Sequence, residues 1–217
     1  MTDRRIRAVL WDFGGVILSS PFEAFSRYEE SRGLPAHLIR TVNSTNPDTN
    51  AWALFERNEI TAAQFDGLFA EESERMGHRV PGSDVLALLS GEVRPRMVAA
   101  LDAVIGAGYL TACLTNNMVP HDDDRAERRA EIGPILARFH HVVESSKVGC
   151  RKPEPRFYEL ACELLGVAAD ECVFLDDLGI NLKPAAAMGM RTIKVGDPDV
   201  ALADLSAHLG FDVTNLA

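Results

Sequence analysis

Four places in the chain put groups capable of metal or anion chemistry directly after apolar runs. Asp12 follows the run 6–11 and Thr115-Asn116 follows 109–114. Lys152 comes shortly after 141–143, and Asp176-Asp177 follows 172–175. Each has a plain structural explanation when taken singly. Asp12 could cap the next turn, Asp176-Asp177 could cap a helix beginning near Leu182, and Lys152 before Pro153 reads alone as a surface lysine. Thr115 is uninformative by itself. Brought to one place, the groups acquire a chemistry. Three converging carboxylates repel, so either one holds a proton or a cation lies among them. No histidine or cysteine accompanies them, and an oxygen-only set suits a hard ion, magnesium (Mg2+) being the usual choice. Lys152 and the Thr115 hydroxyl add the positive charge and the donor that a tetrahedral anion needs. Such a set is a phosphoryl-transfer site, in which positioning and charge neutralisation supply most of the catalysis.

The elements that must position these groups follow from the apolar pattern. Short runs at 6–11, 109–114, 141–143, 172–175 and 191–195 alternate with helical patterns, as in an α/β sheet of parallel strands with helices on both faces. The first run is continuous, as expected of a strand buried on both sides. Val98, Leu101 and Ile105 share one helical face. Further helices are expected over 155–165 and from about Leu182 to a Gly189 cap. In open parallel sheets the loops beyond the C-terminal strand ends line the ligand crevice, and all four polar stations fall there. Residues 19–92 break the rhythm with helical patterns only, Thr61 and Ser83 being the N-cap candidates. The expected architecture is a Rossmann-like core of residues 1–18 and 93–217, with an α-helical domain of residues 19–92 inserted between the first two strands.

Composition narrows the partners. The 217 residues include 22 Lys+Arg against 32 Asp+Glu, a net charge of −10, which argues against nucleic acid or an anionic membrane as the main partner. A small phosphorylated substrate stays open, since a cation or local basic pair can capture it. Cys113, Cys150, Cys162 and Cys172 form no CxxC pair and fit a reducing cytoplasm. Arg4, Arg5 and Arg7 before an apolar stretch suggest a signal peptide only until Asp12 interrupts it. No apolar run approaches the ~20 residues of a membrane span, and no heptad decides between monomer and homodimer. The charged run 121–131 reads as a solvated loop or an exposed helix face.

The ordered motifs Asp12-Phe13-Gly14-Gly15-Val16, Leu114-Thr115-Asn116, Arg151-Lys152-Pro153 and Phe174-Leu175-Asp176-Asp177 resemble the four motifs of the haloacid dehalogenase (HAD) superfamily. The resemblance covers essentially the whole chain. It is closest over 142–195, where KPEPRFYELACELLGV and VFLDDLGINLKPAAAMGMRTIKV are similar to the N-terminal phosphatase domain of soluble epoxide hydrolase and its relatives. The resemblance implies that Asp12 attacks phosphorus and forms an aspartyl-phosphate. It implies magnesium ligands from the Asp12 carboxylate, the Gly14 carbonyl and Asp177. Thr115 and Lys152 would bind the phosphoryl oxygens, and Asp176 would orient Lys152 or a metal-bound water. Asn116 would contact substrate, and Asn181 would steady the metal loop. The helical insertion lies where the superfamily places a cap.

One position departs from the pattern. Many phosphatases of the superfamily carry a second aspartate two residues after the nucleophile as general acid and base, and here that residue is Gly14. Two other function classes therefore accompany the phosphatase. One is a metal-independent carbon–halogen hydrolase, which gains nothing from extra carboxylates. The other is a catalytically weak phospholigand-binding protein. Phe22, Phe25, Trp52, Phe55, Phe65 and Phe69 in the insertion are expected to form mostly its core, and apolar and sugar phosphates both remain open as substrates.

Overall fold

A computed structural model describes residues 6–89, 91–116 and 126–214. Five parallel strands, β1 (Ala8–Trp11), β2 (Leu110–Thr115), β3 (His141–Glu144), β4 (Cys172–Asp176) and β5 (Arg191–Lys194), form one sheet in the order β3-β2-β1-β4-β5. Every expected strand is present, and each end lies within two residues of its expected position. The helices in chain order are α1 (Phe22–Ser31), α2 (Leu38–Ser44), α3 (Ala51–Glu56), α4 (Ala62–Glu74), α5 (Gly82–Ala87), α6 (Pro95–Gly106), α7 (Ala126–Leu136), α8 (Ser145–Val148), α9 (Pro155–Leu165), α10 (Gly179–Ala187) and α11 (Pro198–Leu209).

The continuous apolar run of β1 has a two-sided cause. Val9 and Trp11 enter a core shared with α6 and α11, whereas Ala8 and Leu10 enter a second core shared with α9 and α10. β4 divides the same way, Val173 and Leu175 to one face and Cys172 and Phe174 to the other. Side chains alternate across a strand, so a strand covered on both faces is apolar at every position. Strand order turns back on itself at β1, with β2 on one side and β4 on the other. This is the switch point at which open α/β sheets form their ligand crevice.

Between β1 and β2 the chain builds five helices around their own apolar cluster, which includes Phe25, Ile39, Phe55, Phe65 and Phe69. A single antiparallel bridge, Leu18 to Val93, joins the two ends of this segment. Thr61 caps α4 as expected: its hydroxyl accepts from Gln64 N (3.2 Å) while the Gln64 side chain accepts from Thr61 N (2.8 Å). Ser83 does not cap α5. The helix begins at Gly82, and Asp66 of α4 accepts from Ser83 N at 2.7 Å. A carboxylate from the neighbouring helix replaces the local cap, and it comes close because Gly82 packs on α4: a Cβ there would lie 2.8 Å from Asp66 Cα. The helix expected from Leu182 starts earlier, at Gly179. Residues 121–125 of the charged run lie outside the described residues, and its remainder opens α7, with Ala130 and Glu131 exposed. Among the described residues no helix is long and apolar enough to cross a membrane.

Phe65 is the centre of the helical cluster, its ring centroid 4.9 Å from Phe55, 5.5 Å from Phe69 and 5.9 Å from Trp52. Truncating a fully buried aromatic removes transfer energy and leaves a cavity, so Phe65→Ala should cost about 3–5 kcal/mol in urea unfolding. A loss within ~0.5 kcal/mol, the range of an ordinary surface change, would contradict that central role.

Candidate active site

β1 ends at Trp11, and the chain turns away at once. The Asp12 backbone N–H donates to Leu175 O at 2.8 Å, keeping Asp12 beside the end of β4. Its Oδ1 accepts from Phe13 N at 2.6 Å and opens the tight turn Phe13–Ile17. Gly15 in this turn has φ +79°, and a Cβ there would lie 2.3 Å from the Asp177 carboxyl group. Both facts require glycine: a left-handed backbone suits it, and only a bare Cα lets Asp177 come so close. Gly14 is different. Its φ of −73° is ordinary, and nothing lies within 4 Å of a Cβ built there.

Lys152 is the hub. Its Nζ is 2.7 Å from Asp12 Oδ1 and 2.7 Å from Asp176 Oδ2, and the residue is 1% exposed. The reading of Lys152 as a surface side chain therefore fails. The pairing register explains the convergence. Trp11 lies opposite Leu175, so the next residues, Asp12 and Asp176, leave the sheet side by side. Asp176 is fully buried and saturated: Oδ1 accepts from Leu178 N (2.8 Å) and Asn181 Nδ2 (3.0 Å), Oδ2 from Lys152 and Asn181 Nδ2 (3.1 Å). Asn181 is itself fixed, since Tyr158 Oη donates to its carbonyl at 2.7 Å.

Asp177 has a different environment. Ser20 Oγ donates to it at 3.1 Å, and no lysine or arginine among the described residues is within ion-pair distance. Ligand atoms of Asp12, Asp176 and Asp177 lie within 4.8 Å of one another. Asp176 has its acceptor positions filled, so a cation among the three would be met chiefly by Asp12 and Asp177. Thr115, half-buried, ends β2 next to β1, and its hydroxyl makes no hydrogen bond to another described residue. Asn116, expected to contact substrate, is engaged by the lysine loop: its Oδ1 accepts from Lys152 N (2.9 Å) and its Nδ2 donates to Lys152 O (2.9 Å).

Burial pushes the Asp12 carboxyl well above the ordinary carboxylate range; Lys152 opposes this, and the charges of Asp176 and Asp177 add to it. Burial alone would lower the Lys152 ammonium, but Asp12 and Asp176 outweigh it and hold the lysine above its usual value. The site thus contains one secure cation and an excess of negative charge.

Sequence reasoning missed several contributors. Ser20, four residues beyond the first motif, and Glu56, at the end of α3, both lie in the insertion and outside the motifs. Arg94, just before α6, donates to Gly15 O at 2.7 Å and steadies the turn. Only the Gly14-Gly15 doublet carried a signal, since paired glycines after a strand mark a close backbone approach.

A parallel sheet covered on both faces, with an aspartate just beyond its central strand facing a buried lysine and an acidic pair, is the arrangement of a hydrolase with a Rossmann-like core. Residues 6–189 match the haloacid dehalogenase-like hydrolase family, and the chain belongs to that family. It is 39% identical over 201 residues to phosphatase MT3486 of Mycobacterium tuberculosis, covering 88% of this chain and 87% of that one. It is 31% identical over 216 residues to pig bifunctional epoxide hydrolase 2, covering 94% of this chain and 39% of that protein. The chain spans only 20% to 39% of the length of the mammalian relatives it matches. A solved HAD family enzyme from Bacteroides thetaiotaomicron, in complex with magnesium and inorganic phosphate, shares the fold with a TM-score of 0.58 and 20% identity, covering 88% of this chain and 96% of that one.

Burial, then the neighbouring Asp176, raise Asp177 from 3.8 to about 6. A carboxylate whose folded-state value lies above its unfolded one opposes folding once ionised, and stops doing so below the unfolded value. In buffer stripped of divalent ions, Asp177→Asn should therefore melt above the wild type at pH 7, with the gap closing by about pH 4. A variant that melts lower at pH 7 would refute this.

Proposed function

We propose that the chain is a magnesium-dependent phosphatase of small phosphate monoesters, acting through an aspartyl-phosphate on Asp12. Helices α1 to α5 would form a cap over the site, with residues 1–18 and 93–217 as the core. The observation that carries the reading is Asp177. It is a half-buried carboxylate beside Asp12, admitted by the bare Cα of Gly15, and no lysine or arginine among the described residues is within ion-pair distance of it. Lys152 answers for Asp12 and Asp176, so a further positive charge is needed, and an all-oxygen set favours a hard divalent ion. The phosphatase relative at 39% identity and the magnesium and phosphate in the Bacteroides enzyme support the same reading. The four free cysteines fit a cytoplasmic setting.

The residues divide the chemistry as follows. Asp12 Oδ1 is held by Phe13 N and Lys152, which leaves Oδ2 as the attacking oxygen. As the Asp12–phosphorus bond forms, the bond from phosphorus to the leaving oxygen breaks. Water then attacks phosphorus, releases phosphate and returns the carboxylate. Lys152 and the Thr115 hydroxyl bind the phosphoryl oxygens, and Asp176 with Asn181 fixes the direction of the lysine. Asn116 sets the lysine loop instead of touching substrate. Magnesium, when bound, would be held by Asp12, the Gly14 carbonyl and Asp177, and would offset charge on the transferred group. The proton for the leaving group comes from no side chain at position 14. Carbon–halogen hydrolysis would use the same nucleophile without a metal, but leaves Asp177 unexplained.

p-Nitrophenyl phosphate should be hydrolysed with magnesium, not after chelation, and not by Asp12→Asn. Turnover that survives chelation or the substitution, or halide release from 2-chloropropionate without metal, would overturn the reading. Aryl phosphates should outpace alkyl phosphates, because only the latter need a proton as they leave. The open space at Gly14 accepts a side chain, so Gly14→Asp should raise alkyl phosphate turnover, by up to about 10²-fold if acid catalysis is restored. Equal rates across a leaving-group series in the wild type would contradict this account.

A further inference from the structure

We propose that Glu56 and Arg151 form a buried clasp between helix α3 and the loop that carries Lys152, and that Glu56 is thereby a positioning residue for the lysine. The inference rests on the proposed role of Lys152 and goes beyond it. Glu56 ends α3 in the helical insertion, and both partners are buried, at 5% and 9% exposure. Arg151 Nη1 pairs with Glu56 Oε2, and Arg151 Nη2 donates to Pro47 O, also in the insertion. Three separate segments of the core therefore meet one turn of α3. Arg151 comes from the loop after α8, Ser145 Oγ donates to the Glu56 carbonyl, and Asn116 Nδ2 reaches Glu56 Oε2 at 3.4 Å.

The same contacts lead straight to the lysine. Arg151 is its chain neighbour, and Asn116, which touches Glu56, also holds both backbone polar groups of Lys152. A shift of α3 would thus be felt by Lys152 through one peptide bond and one amide. Stability does not explain the pair. Burying a carboxylate and a guanidinium costs desolvation that their attraction only about repays, and apolar replacements commonly do as well. What such a pair supplies is a defined geometry, since an unpaired Glu56 or Arg151 in this position is costly. Burial holds the Glu56 carboxyl above its ordinary value, and Arg151 opposes that shift without cancelling it.

The test compares wild type with Glu56→Gln and Arg151→Met in three measurements: melting temperature, hydrogen–deuterium exchange, and p-nitrophenyl phosphate kinetics with magnesium. Gln keeps the size and loses the charge, so a cooperatively folded protein is expected from at least that variant. In both variants exchange should quicken at 51–56 and 151–154 while the sheet keeps its protection. kcat should fall tenfold or more at a temperature where the protein is fully folded, which a loss of stability alone would not produce. Unchanged exchange in those segments would overturn the clasp. Faster exchange with unchanged kcat would overturn the positioning role. If the wild type hydrolyses no phosphate ester, the phosphatase reading has failed, and the exchange measurement alone decides the clasp.

Discussion

A lysine ammonium removed from water and set between two carboxylates is the constraint around which this molecule is arranged. Lys152 can be charged in a site this deep only because Asp12 and Asp176 are both at 2.7 Å, and each carboxylate tolerates burial only because the lysine is there. An incomplete version would be worse than none, since removing one member strands the charge of the others. Many features that look independent serve this contact. β1 must pair with β4 in the observed register so that Asp12 and Asp176 leave the sheet together. Asn181, the Leu178 amide and the Tyr158 hydroxyl complete or hold the shell of Asp176. Asn116 grips the lysine backbone from the end of β2. Strand order, one helix start and two loops thus answer to a single cluster of charge.

The parts legible in the sequence are those whose signal is local. Strands buried on both faces announce themselves as continuous apolar runs, and the stations after them placed Asp12, Thr115, Lys152 and Asp176-Asp177 at one sheet edge. Thr61 with Gln64 three residues on is a self-contained cap, and it forms as read. Ser83 also carries a hydroxyl but not the same neighbours: Asp66, 17 residues away in the chain, takes the capping role. Asn116 was legible in place, but its grip on the lysine loop was not, because its partners are backbone groups 36 residues distant. Glu56 and Ser20 could not have been found by pattern. Their own residue types carry no signal, and what distinguishes them is the company brought by the fold.

The helical insertion is bound to the core at points that are all close to the chemistry. Its two ends are bridged at Leu18 and Val93, beside Ser20, which donates to Asp177, and Arg94, which donates to the carbonyl of Gly15. Its far attachment is Glu56 on Arg151, next to Lys152. The segment otherwise has its own apolar core and does not need the sheet to bury its side chains. A unit that is internally satisfied and tied down through polar contacts can move as a body at modest cost, because opening exposes polar groups that water can satisfy. Had the same segment been held by apolar packing against the sheet, every opening would expose buried hydrocarbon. The placement of the ties has a second effect. The contacts of Ser20, Arg94 and Glu56 go to the third carboxylate, to the turn after the proposed nucleophile, and to the chain neighbour of the lysine. The insertion is therefore joined to the charge cluster itself, and a change in the position of α3 or of the segment around Ser20 would reach the carboxylates and the lysine through one or two polar contacts.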